Sequence, residues 1–339
     1  MRVLALVIRL GGGGAEASVS RMVEPLAQRG IELTRLACLP AQPGEESDPA
    51  QTIAPHTKLA LIGPLLSAWK LRTIVLRDKT EILHIHCERP ELLLSLSFPL
   101  RFPRRLSVVV TEHTRKPWNA HPHLGRIIRS SLSLKGARFV SCFDSKGIET
   151  IYNPTSGSSR SFENPSRLKR ILIIGRLNPG KRVEWILRAA ALANCTLPIV
   201  VIGDGPSRGE LEALTKELGI DVRFLGFRST PWDHGRTGDL FVSASAFEGE
   251  PLTLVEAIGA GLPTLVSDIP GHTELTQNSS QRFRTVEDLR QRLVRVLDPA
   301  FFINLMPSQD FRTKILADRN ATHVASQWAR LYESLAGHE

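Results

Sequence analysis

Cysteine is scarce in this chain, with four among 339 residues: Cys38, Cys87, Cys142 and Cys195. They are far apart, and no CxxC pair or Cys/His cluster has the spacing of a metal site. The pattern excludes a disulfide scaffold and predicts reduced, mostly buried thiols, as in a cytosolic protein.

Long apolar runs are also missing. The most apolar uncharged stretch, residues 59–69, is much shorter than the roughly 20 residues that cross a bilayer. The amino-terminal segment MRVLALVIRL resembles a signal peptide, but its apolar run is short and four glycines stand in place of a cleavage site. We interpret it as a buried first strand.

Aromatic residues make up only 6% of the chain, no repeat is evident, and no nucleic-acid motif is present. These absences argue against a nucleic-acid-binding protein. Apolar residues at 42% and charged residues at 23% are ordinary globular values. The length predicts two domains.

The positive charge is unevenly distributed. The net charge is +9, and residues 101–150 hold ten basic and three acidic side chains. This excess predicts an anionic partner: a membrane leaflet, a phosphorylated acceptor or nucleic acid. A basic face that only keeps the protein soluble remains an alternative. The cluster includes Arg101, Arg104, Arg105, Arg115, Lys116, Arg126 and Arg129.

Strand-like and helix-like segments alternate through both halves of the chain, which predicts two α/β domains with doubly wound parallel sheets. The segment 153–166, NPTSGSSRSFENPS, is rich in Ser, Pro and Asn and predicts a linker. We therefore expect domains at 1–160 and 161–318, with a helix at 319–339. Ligands in such sheets bind beyond the carboxyl ends of the strands.

The strongest motif is SASAFEGEPLTLVEAIGAG. Pro251 suits the first position of a helix, so the free amides of Leu252 and Thr253 would form a phosphate site. Glu248 precedes this helix and Glu256 lies in its second turn, roughly 5–8 Å further along. Carboxylates accept bonds from the hydroxyls of a sugar or ribose. Two solvated glutamates would give the same spacing.

Two loops could contact a diphosphate. Arg176 and Lys181 lie in GRLNPGK after a strand, and a guanidinium with an ammonium suits a diphosphate. A solvated turn is the alternative. The glycines at 11–14 allow close backbone approach, although their spacing differs from the dinucleotide pattern.

Histidines follow or occupy two strands. His113 stands at the carboxyl end of the predicted fourth strand, where active-site residues gather, although a lone histidine is more often structural. His84 and His86 alternate on a strand and share a face. We favour packing over metal binding for this pair, because no third ligand is apparent. Gly203 begins a GDGP turn at another strand end.

Taken together, these motifs resemble the retaining glycosyltransferases of family 4, which have the GT-B fold. The resemblance covers nearly the whole chain and is strongest over residues 170–271. It rests on the Glu248/Glu256 pair, on Arg176 with Lys181, on GDGP and FLG, on GGGGAE, on His113 and on IYNP. The fold it implies has two Rossmann-like domains facing a central cleft, the first binding acceptor and the second binding donor, with the last helix returning to the first domain.

The resemblance also implies site roles. Arg176, Lys181 and the amides near Leu252 and Thr253 would hold the donor diphosphate. Glu256 would bind the ribose, and Glu248, with Gly249, the transferred sugar. The other implied positions are His113 at the donor sugar, Gly203, Phe227 and Arg228 near the nucleotide, and Gly12 and Gly13 beside the diphosphate.

The chemistry implied is sugar transfer from a nucleoside diphosphate donor, most commonly UDP, with retention and without a metal or another cofactor. The basic groups would then stabilise the leaving phosphate. With the basic region 101–138, we expect a cytoplasmic enzyme peripheral to the inner membrane face that builds lipopolysaccharide or another polysaccharide on a glycan or lipid-linked acceptor.

Several features depart from the family pattern. The chain is short, Pro25 interrupts the first helix, and the segment PWDHGRTGD before Ser243 is unusually polar. Two alternatives therefore stay open. One is a nucleotide-sugar-binding protein without transfer activity, and the other is an inverting GT-B transferase or an epimerase.

Overall fold

The computed structural model describes residues 1–10, 13–40, 51–54, 62–155, 162 and 167–337. The chain forms two compact units. The first comprises Met1–Pro154 together with Arg319–Glu339, and the second comprises Thr155–Asp318. Gly12 lies outside the described residues. The boundary between the units falls in the Ser/Pro-rich segment.

The first unit is built on a six-stranded parallel sheet in the order β2-β1-β3-β4-β5-β6. Its strands are β1 (Arg2–Val7), β2 (Glu32–Ala37), β3 (Ile82–His86), β4 (Ser107–Glu112), β5 (Arg138–Ser141) and β6 (Glu149–Thr150). Its helices are α1 (Gly14–Ala27), α2 (Ile62–Arg77), α3 (Glu88–Ser97), α4 (Pro122–Leu134) and, from the end of the chain, α12 (Ala321–Ala336).

Both faces of this sheet are covered, because alternate residues of each central strand enter different cores. Leu4 and Leu6 pack with α2, α3 and α4 on one face. Val3, Ala5 and Val7 pack with α1 and α12 on the other. Strands buried on both faces form nearly continuous apolar runs, as β1 does after the exposed Arg2.

The second unit contains the parallel sheet β12-β11-β10-β7-β8-β9. Its strands are β7 (Arg170–Ile174), β8 (Ile199–Ile202), β9 (Val222–Phe224), β10 (Asp239–Ser243), β11 (Thr264–Ser267) and β12 (Arg282–Phe283). Its helices are α5 (Val183–Leu192), α6 (Arg208–Leu218), α7 (Leu252–Gly259), α8 (Pro270–Thr273), α9 (Val286–Arg295), α10 (Pro299–Phe302) and α11 (Gln309–Asp318).

The order of strands creates a switch point in this sheet. From β7 the chain proceeds outward through β8 to β9, then returns to the other side of β7 as β10. The loops that follow β7 and β10 therefore diverge and leave a crevice at the carboxyl ends of the strands. Beside it, the backbone of Gly203 lies against that of Gly175, where a Cβ would meet the Gly175 carbonyl oxygen at 1.9 Å.

These units confirm the expectation of two parallel-sheet α/β domains. The continuous helical pattern of the sequence over residues 311–335 is divided into α11 and α12, because the Asn320 side chain caps α12 by accepting from the amides of Thr322 and His323. Pro251 was expected inside α7, but it is the residue before the first helical position. Pro25 lies inside α1, which ends two residues later. Among the described residues, no helix combines the length and the apolarity that crossing a bilayer requires.

The packing of α12 on the first unit gives a prediction. Trp328 is buried in the core that β1 and α1 form, so Trp328→Ala should destabilise this unit by about 3–5 kcal/mol. Hydrogen exchange should accelerate in β1 and β3. The exposed neighbour Glu333→Ala is the matched control and should change little. If amide hydrogen exchange in β1 and β3 is as slow in the Trp328 variant as in the wild type, this packing is contradicted.

Candidate functional site

An ion pair joins the two loops at the switch point of the second unit. Nζ of Lys181 lies 2.5 Å from Oε1 of Glu248. Lys181 ends a 3-10 turn after β7, and Asn178 fixes this turn because its side-chain oxygen accepts from the Lys181 amide at 3.2 Å. Glu248 follows β10. The sheet thus brings together two residues that are 67 positions apart.

Backbone contacts hold the two loops in place. The amide of Ala246 donates to the carbonyl of Gly180 at 2.8 Å. Behind Glu248, Gly271 packs so closely that a Cβ would lie 2.9 Å from the carbonyl oxygens of residues 248 and 249. Gly249 is itself buried. The position of the carboxylate is therefore set by main chain on both sides.

The pKa of Glu248 reflects a balance between burial and charge. Burial raises the pKa, but the charge of Lys181, its hydrogen bond, a hydrogen bond from Ser245 and the nearby His272 outweigh it and hold the pKa below the ordinary value. Glu248 is therefore ionised at neutral pH. A carboxylate in that state accepts hydroxyl hydrogen bonds but cannot act as a general acid.

The start of α7 lies directly after Glu248. The first helical bond of this segment runs from the Leu254 amide to the Pro251 carbonyl, and no side chain of the N-cap residue bonds the amides of Leu252 and Thr253. Arg176 is exposed on the loop after β7. A helix N-terminus with a basic side chain such as Lys181 nearby is a favourable site for an anion.

Glu256 is also in α7, but it is buried and already bonded. Its Oε2 accepts the indole N–H of Trp232 at 2.8 Å, and both residues are less than a tenth exposed. Trp232 lies in a 3-10 turn, Pro231–His234. Sequence analysis missed this partner, because the polar segment around it has no helical or strand periodicity.

His272 is a second residue that sequence analysis missed. It follows β11, and its Nδ1 donates to the Ser267 carbonyl at 2.9 Å. Because a carbonyl only accepts, the proton of the neutral ring is on Nδ1 and Nε2 is an acceptor. Burial, opposed by the charge of Glu248, lowers the pKa of His272 to about 4. The ring is therefore neutral beside the ion pair.

Three further predicted positions follow the outer strands of this sheet. The amide of Gly203, after β8, donates to the carbonyl of Gly226 at 2.9 Å. Phe227 and Arg228 continue beyond Gly226 from the edge strand β9 and are exposed. The guanidinium of Arg228 donates to the carbonyl of Phe227 at 2.9 Å. All three residues thus follow the carboxyl ends of β8 and β9.

In the first unit, the half-buried His113 contacts a pair of buried histidines, His84 and His86. Its Nε2 lies 2.9 Å from Nδ1 of His86. His84 bonds Tyr332 of α12 at 2.7 Å and Thr111 of β4 at 2.6 Å. Burial lowers the pKa of His113 to about 4 and that of His84 to about 3. Among the described residues, no three His, Cys, Asp or Glu side chains are grouped as metal ligands.

The space beside this cluster is small. His84, His86 and His113 line a cavity of about 20 Å³, which is room for about one water and not for a sugar. Gly13 caps α1, and the carboxylate of Glu16 folds back on it, with Oε2 2.0 Å from the position of a Cβ. A side chain at position 13 would displace this carboxylate.

Comparison with known families matches both units. Residues 12–143 match the family described as Glycosyltransferase Family 4, and residues 158–299 match the family described as Glycosyl transferases group 1. Together the two matches cover most of the chain.

Curated relatives align over less than half of their own length. The lipopolysaccharide 1,6-galactosyltransferase of Salmonella typhimurium is 35% identical over 142 residues, 39% of each chain. The UDP-Gal:alpha-D-GlcNAc-diphosphoundecaprenol alpha-1,3-galactosyltransferase of Escherichia coli is 30% identical over 172 residues, 47% of this chain and 44% of the relative.

Solved structures share the fold across the whole chain. Sucrose-phosphate synthase from Thermosynechococcus elongatus has a TM-score of 0.77 at 17% identity, covering 100% of both chains. The Anabaena protein HepE, solved with UDP and glucose, has a TM-score of 0.74 at 16% identity, covering 98% of this chain and 100% of its own.

The ion pair predicts a response to charge removal. In Lys181→Met the burial of Glu248 is no longer opposed by the ammonium, so its pKa should rise above the ordinary value. Carbon NMR of labelled glutamate carboxyls measures this. Lys216→Met, on the exposed face of α6, is the control. An unchanged Glu248 titration would show that the pair is not formed in solution.

The sign of the accompanying stability change is opposite in the two proteins. In the wild type, the pKa of Glu248 is lower in the folded state than in the unfolded state. This difference stabilises the fold at pH values above the unfolded-state pKa, and the stabilisation is lost as the pH falls through the folded-state pKa. In Lys181→Met, the buried carboxylate of Glu248 destabilises the fold at neutral pH, and protonation of the carboxylate relieves this destabilisation.

The buried histidines predict acid lability. His84, His113 and His272 have folded pKa values of about 3, 4 and 4. Below pH 6.5 the unfolded chain binds protons that the folded chain does not. Each of these histidines therefore lowers the free energy of unfolding by about 1.4 kcal/mol per pH unit, down to the pKa that it has in the folded state. The melting temperature should be much lower at pH 5.0 than at pH 7.5, and this difference should be smaller in His84→Gln. A pH-independent melt would contradict these assignments.

Proposed function

Because the chain belongs to glycosyltransferase family 4 and has the GT-B fold, we propose that it transfers a sugar from a nucleoside diphosphate donor. The observation that carries the proposal is the ion pair of Lys181 and Glu248 at the switch point. Glu248 precedes the start of α7, and the exposed Arg176 stands on the same loop as Lys181. Cation and amides suit a diphosphate, and the ionised carboxylate suits sugar hydroxyls.

We infer that the donor is a UDP-sugar. HepE, which shares the fold, was solved with UDP and glucose, and the Escherichia coli relative is named for UDP-Gal. In this arrangement Lys181 and Arg176 bind the diphosphate with the amides of Leu252 and Thr253. Glu256, oriented by Trp232, binds the ribose through its remaining acceptor sites.

The proposed reaction retains the anomeric configuration and uses no metal. The bond between the anomeric carbon and the phosphate oxygen breaks while the acceptor oxygen bonds to the same face of the sugar. The departing phosphate oxygen takes the acceptor proton, so no separate base is required. Lys181 and Arg176 stabilise the charge that develops on the leaving diphosphate.

The proposed acceptor is a glycan or a lipid-linked glycan of lipopolysaccharide or polysaccharide assembly. The Salmonella relative is named for lipopolysaccharide and the Escherichia coli relative for a diphosphoundecaprenol. The basic region 101–138 would face the anionic lipid surface, which makes the protein a peripheral enzyme of the cytoplasmic membrane face.

Nucleotide binding is the first test. UDP, GDP, ADP and CMP are each added in excess during thermal unfolding. A ligand at 100 times its dissociation constant stabilises by about 2.7 kcal/mol, and we expect this from UDP. Lys181→Met should abolish the shift, whereas Lys216→Met should retain it. Equal shifts in both variants would remove the proposed diphosphate site.

Product analysis separates the alternatives. Proton NMR of the glycoside should show the donor's anomeric configuration. An inverted configuration would favour the inverting GT-B transferase. Interconversion of nucleotide sugars would favour the epimerase, and tight UDP binding without turnover would favour the nucleotide-sugar-binding protein.

Removal of the Trp232 hydrogen bond gives a prediction for Glu256. Trp232→Phe keeps an apolar ring and loses the N–H, so KM for the donor should rise several-fold while kcat changes little. The same variant should discriminate less between UDP and 2′-deoxy-UDP. If the variant discriminates between UDP and 2′-deoxy-UDP as strongly as the wild type does, Glu256 does not bind the ribose.

A further inference from the structure

Helix α2 is apolar on two opposite faces, yet only one of them is covered. Leu71 and Val75 are buried against the sheet. On the opposite face, Leu65 is 57% and Trp69 68% exposed. A helix that is apolar all round is expected to be buried all round, in protein or in lipid.

The exposed side chains of α2 form one stripe. Ile62, Leu65, Leu66, Trp69 and Leu76 recur at helical spacing, so they lie on one side of the helix. All five are exposed. A single exposed apolar residue needs no explanation, but a continuous stripe marks an interaction surface.

The stripe extends over a wider surface on the same side of the sheet. Helix α4 packs into the same core as α2 and exposes Ile127 and Leu134, the latter by 90%. Between the two helices, Leu100 is 89% exposed. Ten of the sixteen large apolar side chains exposed in the described part of the chain lie within residues 62–134. We name residues 62–77, 95–106 and 122–137 the α2–α4 face.

Side-chain contacts tie the three segments of this face together. The guanidinium of Arg72 in α2 donates to the carbonyl of Ser97 at 3.2 Å. Nζ of Lys135, after α4, donates to the carbonyl of Phe98 at 3.0 Å. The hydroxyl of Ser97 donates to the carbonyl of Ala68 at 2.9 Å. The exposed residues therefore belong to one surface.

The charge of this face has a single sign. Its three segments contain nine Lys and Arg residues and no Asp or Glu. Arg101, Arg104, Arg105 and Arg126 are exposed, whereas Arg129 turns inward to Glu112. Apolar side chains surrounded by basic ones match an anionic lipid surface, which offers acyl chains below a layer of negative headgroups.

We propose that the α2–α4 face docks on an anionic bilayer, with α2 lying in the plane of the interface and its stripe entering the acyl boundary. A second copy of the chain would bring the exposed arginines of this face against the same arginines of its partner, which disfavours self-association. The inference rests on the proposed function only for the reason to be at a membrane. It deepens that proposal by adding apolar insertion to the attraction of the basic region.

Trp69 provides a direct probe. It is exposed, whereas Trp118, Trp232 and Trp328 are buried and Trp185 is half-buried under Arg182. On adding phosphatidylglycerol/phosphatidylcholine vesicles, tryptophan emission should shift to the blue and be quenched by brominated acyl chains. Pure phosphatidylcholine should produce much less of either. Trp69→Phe should lose the emission change and still sediment with anionic vesicles.

Sedimentation of variants separates the apolar from the charged contribution. Leu65→Gln with Trp69→Gln should lower the vesicle partition coefficient at least tenfold. The matched control, Leu192→Gln with Ile303→Gln, changes two equally exposed residues of the second unit and should leave it unchanged. The double variant Arg101→Gln with Arg105→Gln should lower the vesicle partition coefficient chiefly at low salt.

Three results would overturn the inference. They are equal binding to neutral and anionic vesicles, no binding to either at low salt, and an unaltered partition of the Leu65/Trp69 variant. A dimer that the same variant abolishes, found by light scattering without lipid, would assign the face to self-association instead. None of these outcomes affects the UDP-induced thermal shift, so the inference and the proposed function fail independently.

Discussion

The ion pair between Lys181 and Glu248 holds together two loops that the topology of the second unit directs apart. Parallel strands that turn back across the first strand leave a crevice at their carboxyl ends, and β7 and β10 border it here. The pair places an ammonium and an ionised carboxylate beside the start of α7. The surrounding main chain, including the close approach of Gly271, fixes the geometry.

Burial determines how the remaining polar groups behave. Glu256 is buried but has the indole N–H of Trp232 as a donor. His84 and His113 are neutral because desolvation lowers their pKa values, and hydrogen bonds of His84 with Tyr332 and of His113 with His86 orient their rings. Apolar side chains show the reverse on the outer side of α2, where Leu65 and Trp69 remain in water. Glu256, His84 and His113 have hydrogen-bond partners, and the exposed apolar stripe of α2 implies a partner of another kind.

Much of the fold followed from sequence patterns, because strands buried on both faces read as continuous apolar runs. A common donor site for Lys181 and Glu248 was implied by the family resemblance, whereas the spacing of these residues in the sequence left their proximity open. Trp232 and His272 could not be predicted, because their roles depend on contacts between distant segments. The division between α11 and α12 depends on an Asn320 cap inside a continuous helical pattern. The uncovered face of α2 was hidden for another reason: an apolar run does not reveal which of its sides is covered.

The most direct test of the account is phosphorus NMR of UDP bound to the wild-type protein and to Lys181→Met and Lys216→Met. If the diphosphate lies at the switch point of the second unit, the β-phosphate resonance shifts on binding to the wild type and to Lys216→Met. With Lys181→Met at saturating UDP, that shift should be largely lost. A β-phosphate shift that is identical in all three proteins would place the diphosphate away from Lys181 and contradict the account.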